Sequence, residues 1–198
     1  MAISTDMIKK LREKTNAPMM DCKKALEESN GDLEIAVDIL RKKGQIVALK
    51  KAGRSAKEGV IGSYIHSNSK IGVLLEVNCE TDFVARNEDF RQFVKDVSMH
   101  VAATSPSYVS REEVPAHILE REKNVLKDSV KNKPENVVEK IVQGKLEKFY
   151  SEVCLLDQFF VKNDKITIKE YLNELIGKIG ENIRIRRFVR FQVGEDIQ

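Results

Sequence analysis

A chain of 198 residues, 41% hydrophobic and 33% charged, has room for one medium domain plus a small one under a heavily charged surface. Its 34 Lys+Arg against 31 Asp+Glu leave a net charge of +3, too small to demand a polyanionic partner. No apolar run reaches the length of a membrane span, none near Met1 resembles a signal segment, and three scattered cysteines (Cys22, Cys79 and Cys154) offer no disulfide framework, so a reducing, cytoplasmic setting is expected.

The first segment reads as three short helices. Ser4 can cap a helix in which Met7, Ile8 and Leu11 share a face. Pro18 suits the first turn of the next, which carries Cys22, Ala25 and Leu26 at i, i+3 and i+4. Asn30-Gly31 supplies a left-handed stop, and Asp32 can cap a third helix that buries Ile35, Ala36, Ile39 and Leu40 and ends at Gly44. The expected division is a three-helix module over 1–45, a basic linker with some helix over 46–57 (Lys50, Lys51, Arg54, Lys57), and a core over 58–198.

Residues 60–67 and 70–80 read as an antiparallel hairpin joined by Asn68-Ser69. Phe90, Phe93, Val94, Val97 and Val101 then form a helical stripe that Ser105-Pro106 ends. Two further helices, over 112–130 and 134–150, are separated by Asn132-Lys133-Pro134, and 158–161 suggests a short strand or turn. Residues 168–179 are amphipathic through Tyr171, Leu172, Leu175 and Ile176, and alternation over 183–193 gives a last strand. The fold class is α+β: a small antiparallel sheet covered by helices, with a helical module in front.

Ile71, Val73, Leu75, Val77 and Cys79 alternate with Gly72, Leu74, Glu76 and Asn78, the period of a sheet with one buried face. The alternation stops at Thr81-Asp82, residues that favour caps, and Phe83 follows directly. A large ring at such a corner is either tucked under the turn or offered to a partner, and spacing alone favours the tucked position.

The run Asn78-Cys79-Glu80-Thr81-Asp82-Phe83-Val84-Ala85 closely resembles the signature of the elongation factor Ts family. A second stretch, Leu11-Arg12-Glu13-Lys14-Thr15-Asn16-Ala17-Pro18-Met19-Met20-Asp21-Cys22-Lys23-Lys24-Ala25-Leu26, resembles its N-terminal signature, with Asn30-Gly31-Asp32 and Leu40-Arg41-Lys42-Lys43-Gly44 after it. Ala52-Gly53-Arg54-Ser55-Ala56-Lys57-Glu58-Gly59 links the two, and similarity continues weakly to Phe188-Val189-Arg190-Phe191-Gln192-Val193-Gly194-Glu195. The resemblance implies a ubiquitin-associated-like N-terminal module and exchange of guanine nucleotide on elongation factor Tu, bound either with GDP or nucleotide-free. It further implies that Phe83 is a wedge near the partner's magnesium site, that Asp82 fixes the corner and perturbs the partner's metal side, and that Thr81 and Val84 hold and flank the turn. Arg12, Met19, Met20 and Lys23 would dock on the G domain, and His66, Met99 and His100 would meet a second domain. With one hairpin-plus-helices unit the chain resembles the short form of the family, which implies a homodimer. The strand over 183–193 is the candidate for self-association.

The residues argue against several chemistries. His66, His100 and His117 sit in no catalytic motif, Cys22 and Cys79 fall on apolar faces, and neither paired Cys/His spacing nor a P-loop occurs, so no enzyme activity, cofactor or metal is expected. Met19 can join Cys22 and Leu26 on the core stripe, whereas Met20 points about 100° away, an adaptable contact for another protein. Basic stretches over 41–57 and at Arg184, Arg186, Arg187 and Arg190 lack interleaved aromatics or lie on one strand; direct nucleic-acid contact is not expected. An RNA- or ribosome-associated binding protein stays open as the alternative.

Overall fold

The computed structural model describes residues 3–15, 17–128, 130 and 134–196. In chain order they form α1 (Thr5–Thr15), α2 (Met19–Glu28), α3 (Leu33–Lys51), β1 (Glu58–Ile65), β2 (Ile71–Cys79), α4 (Asp82–Arg86) and α5 (Glu88–Thr104). There follow α6 (Ala116–Asp128), α7 (Glu135–Val153), β3 (Phe159–Phe160), β4 (Asn163–Thr167), α8 (Ile168–Ile179) and β5 (Arg184–Gln192), so the fold is α+β.

The Ser4 hydroxyl accepts the Met7 N–H at 3.3 Å and starts α1. Asn30 and Gly31, at φ 53 and 89, reverse the chain after α2, and Asp32 accepts from the N–H groups of Glu34 and Ile35 to cap α3. Leu11, Cys22, Ala25, Leu26 and Ala36 then bury one another. Ile35, expected in this core, is exposed. The inward stripe of α3 runs through Ala36, Leu40 and Gly44, and Ile35 sits one 100° step off it.

Gly44 does not end α3, which continues to Lys51, so residues 46–51 of the expected linker are helical. The glycine instead lets two helices approach. A Cβ at position 44 would lie 3.2 Å from the Asn173 carbonyl oxygen of α8, and one at Gly177 would meet the Gly44 Cα at 3.4 Å. A helical glycine costs about 1 kcal/mol against alanine, and here close packing of α3 on α8 offsets it.

β1, β2 and β5 make a three-stranded antiparallel sheet with β2 in the centre. Val73, Leu75 and Val77 of β2 and Ile185 of β5 bury one face against Phe90, Phe93, Val94, Val97 and Val101 of α5. Leu172, Leu175 and Ile176 of α8 complete that core. Gly62 of β1 faces α5 so closely that a Cβ would sit 2.3 Å from a Val94 methyl. On the other face Ile61, Ile65, Leu74, Val189 and Phe191 are exposed, brought side by side by pairings such as Leu74↔Val189 and Gly72↔Phe191.

The helix expected over 112–130 begins only at Ala116, after a 3-10 turn at Arg111–Glu113. Pro115 breaks the run: it has no N–H to give, and its carbonyl accepts from Ile118 and Leu119 as the first turn forms. α6 and α7 bury their own cluster of Leu126, Val130, Val142 and Leu146. The break expected at Asn132-Lys133 lies outside the described residues. The strand expected near 158–161 is half of a ribbon whose other half, β4, begins with the polar Asn163-Asp164-Lys165 and carries no alternation to read.

Candidate functional site

Where β2 runs out, the Thr81 hydroxyl accepts the Val84 N–H at 3.4 Å and caps the five-residue α4. Asp82 in the first turn pairs with Arg86 at 2.7 Å. Val84 and Ala85 bury themselves in the sheet core, and Phe83 between Asp82 and Val84 is 77% exposed. Spacing alone favoured a tucked ring; the structure turns it outward. Successive helical residues are about 100° apart, so a helix that commits Val84 and Ala85 to the core leaves Phe83 on its outer side.

The corner is held from a hundred positions away. The Glu181 carboxylate accepts from the Glu80 N–H at 3.2 Å, the Thr81 N–H at 3.1 Å and the Thr81 hydroxyl at 2.7 Å. Glu80 answers by accepting the Asn182 N–H at 2.6 Å and pairing with Arg54 at 3.5 Å. The buried Asn182 amide donates to the Arg54 carbonyl at 2.7 Å, which ties the segment after α3 to the same knot. Sequence reasoning missed Glu181, Asn182 and Arg54 as partners of the corner. Only Gly180, at φ 82 behind α8, marks locally that the chain turns there.

The remaining expected site residues occupy other elements. Arg12 on α1 and Lys23 on α2 are exposed, and Lys23 lies 3.9 Å from Glu27. Met20 is 62% exposed, and Met19, expected on the core stripe, is 47% exposed. Met19 is the first residue of α2, one turn ahead of Cys22, where the buried cluster begins. His66 is exposed just past β1, with the Tyr64 hydroxyl 3.1 Å from its Nδ1, and Met99 is half-buried. His100 is fully buried: its Nε2 lies 2.9 Å from Gln158 Oε1, and its Nδ1 accepts the Val161 N–H at 3.3 Å. Burial holds it below the usual histidine range, against the Gln158 hydrogen bond that raises it. A side chain sealed in this way offers no atom to a partner, which removes it from the second-domain contacts.

A sequence model of the family described as Elongation factor TS matches residues 2–195. The chain belongs to the elongation factor Ts family. The elongation factor Ts of Geobacter sulfurreducens is 58% identical over 200 residues, spanning 100% of this chain and 93% of the relative. That of Thermodesulfovibrio yellowstonii is 60% identical over 196 residues, and that of Thermotoga maritima 57% over 195, each covering 98% of both chains.

This elongation factor Ts family member carries its thiols as packing groups. Cys22, Cys79 and Cys154 are free and buried, and desolvation pushes Cys79 and Cys154 up to about 11 and Cys22 upward. Such thiols stay protonated at neutral pH and are poor nucleophiles. Among the described residues no group of three or more His, Cys, Asp or Glu is placed to hold a metal ion, and no helix is long and apolar enough to cross a membrane. Part of the charge in the two basic stretches is paired: Lys43 with Asp21, Arg54 with Glu80 at 3.5 Å, Arg187 with Glu76 at 2.7 Å and Arg190 with Glu195 at 2.8 Å.

Proposed function

We propose that the chain is a guanine nucleotide exchange factor for elongation factor Tu, acting in the cytoplasm by non-covalent coupling rather than by catalysing a chemical reaction. The observation that carries this reading is the exposed Phe83 ring, presented between residues that are held in place. A partner that binds the factor best when empty or loosened must, by reciprocity, bind GDP more weakly while the factor is docked. GTP then reloads the partner and displaces the factor. Docking that ignored nucleotide state would shift nothing.

Phe83 enters an apolar crevice beside the partner's magnesium and phosphate site, where full burial of its ring is worth about 1.5–3 kcal/mol. Asp82 acts on the metal side of that crevice, and Thr81 and Val84 hold the turn. The module over 1–45 docks through Arg12, Met19, Met20 and Lys23, with the two exposed methionines as adaptable apolar contacts. His66 and Met99 remain for a second domain of the partner. The factor works as a homodimer whose subunits pack through the outer sheet face, because Ile61, Ile65, Leu74, Val189 and Phe191 are exposed together there, around the Glu76–Arg187 pair.

The test is release of mant-GDP from elongation factor Tu by the Phe83→Ala chain. Stimulation is expected to fall at least about tenfold, as loss of the ring's burial energy requires. Its melting temperature should not change, because the ring is exposed in the free chain. Undiminished stimulation overturns the reading. Met20→Ala should weaken complex formation and leave the saturated release rate as it was.

A further inference from the structure

We infer that Glu181 is the positioning residue for the exchange corner, an inference that rests on the proposed role of Phe83. Three donors converge on its carboxylate: the backbone N–H groups of Glu80 and Thr81 and the Thr81 hydroxyl. A single anionic side chain thereby fixes both the path of the chain leaving β2 and the residue that caps α4. Hydrogen bonds to a charged acceptor are stronger than neutral ones, and these three share one rigid group.

The arrangement is reciprocal. Glu181 from the loop after α8 holds the corner, and Glu80 from the corner holds the Asn182 backbone in return. The Thr81 hydroxyl is the pivot: it donates to Glu181 while accepting from the Val84 N–H. Donation to the carboxylate leaves the hydroxyl lone pairs free to face Val84, so Glu181 orients the cap as well as anchoring it. α4 is five residues long, too short to stand without that cap and its two buried aliphatics. Phe83 makes none of these contacts, so its direction depends on theirs. Without Glu181 the cap loosens, the ring samples other directions, and only a fraction of factor molecules present a competent wedge. Docking through the 1–45 module does not need the ring, so a docked factor holds a competent wedge for only that fraction of the time and maximal stimulation falls with it.

The experiment combines Glu181→Ala with Phe83→Ala. GDP release is measured at saturating factor, well below each variant's melting temperature. Glu181→Ala is expected to lower maximal stimulation about tenfold, the size of one lost charge-assisted hydrogen bond. In the Phe83→Ala background the same change should cost far less, because the ring it positions is gone and only Asp82 on the same turn is left to misplace. A residue that merely stabilised the fold, or touched the partner itself, would lower the residual stimulation of Phe83→Ala by the same factor again. Glu181→Gln keeps the length and one acceptor oxygen, should fall between wild type and alanine, and carries the test if the alanine chain does not fold. Full stimulation by both Glu181 variants, or losses that multiply with Phe83→Ala, overturns the positioning role. If Phe83→Ala is itself fully active, the wedge and the inference fall together. If only the Glu181 variants are active, the wedge stands and the positioning role falls.

Discussion

Phe83 gives its own chain little, and the side chains around it give a great deal. Its neighbours Val84 and Ala85 are buried and its cap is bonded from across the sheet. Local sequence carries the corner and its cap, because Thr and Asp after an alternating strand name their own role. It does not carry the direction of the ring, which follows from which α4 residues the core accepts. Glu181 was illegible for a different reason: its partners lie 100 and 101 positions away, and nothing nearby marks an acceptor. His100 makes the converse point. The family resemblance implied an outward contact for it, yet it is sealed beside Gln158, and burial lowers its pKa from 6.5. The unfolded chain therefore takes up a proton first as pH falls. This group's contribution is intact above about pH 6.5 and is lost below it. The melting temperature should drop between pH 7 and pH 5.5, and His100→Gln should flatten that slope. The cysteines give a second check: thiol reagents at pH 8 should leave the native chain almost unlabelled and modify Cys22, Cys79 and Cys154 on denaturation.

Elements were readable where one period ran unbroken between clear stops. α8 occupies the span its amphipathic pattern predicts, helped by a capping box in which Thr167 and Glu170 satisfy each other's N–H groups. β4 was hidden by its polar start, and the onset of α6 was set by Pro115. Gly44 misled because a glycine reads as a helix stop when its use here is close packing against Asn173 and Gly177. Gly44→Ala sets a gain of about 1 kcal/mol in helix propensity against a contact that needs only a few tenths of an ångström of give. Urea denaturation should find it nearly neutral. Gly44→Val overpacks the crossing and should cost about 1–3 kcal/mol. Gly62→Ala should be worse than Gly44→Ala, because its new methyl would overlap the Val94 side chain at 2.3 Å with α5 behind it.

At the scale of the whole molecule, helices bury one side of the sheet and leave the other open, its apolar side chains interrupted by Ser63 and the Glu76–Arg187 pair. Alternation over 183–193 made the strand legible, but the breadth of the open surface emerged only once β1, β2 and β5 were in register. With Phe191 65% exposed at one end of that surface, Phe191→Glu should convert a dimer to a monomer in sedimentation at micromolar concentration without lowering the melting temperature of the subunit. A wild-type chain that sediments as a fully active monomer contradicts the proposed dimer. The knot of Arg54, Glu80, Thr81, Glu181 and Asn182 spans most of the chain's length, joining the segment after α3 to the corner and both to the approach to β5. During synthesis the ribosome releases Thr81 and Phe83 long before the carboxylate that clasps them. A nascent chain carries Thr81 and Phe83 while their corner is still slack, and the corner tightens only after Glu181, 100 positions further on, has been added.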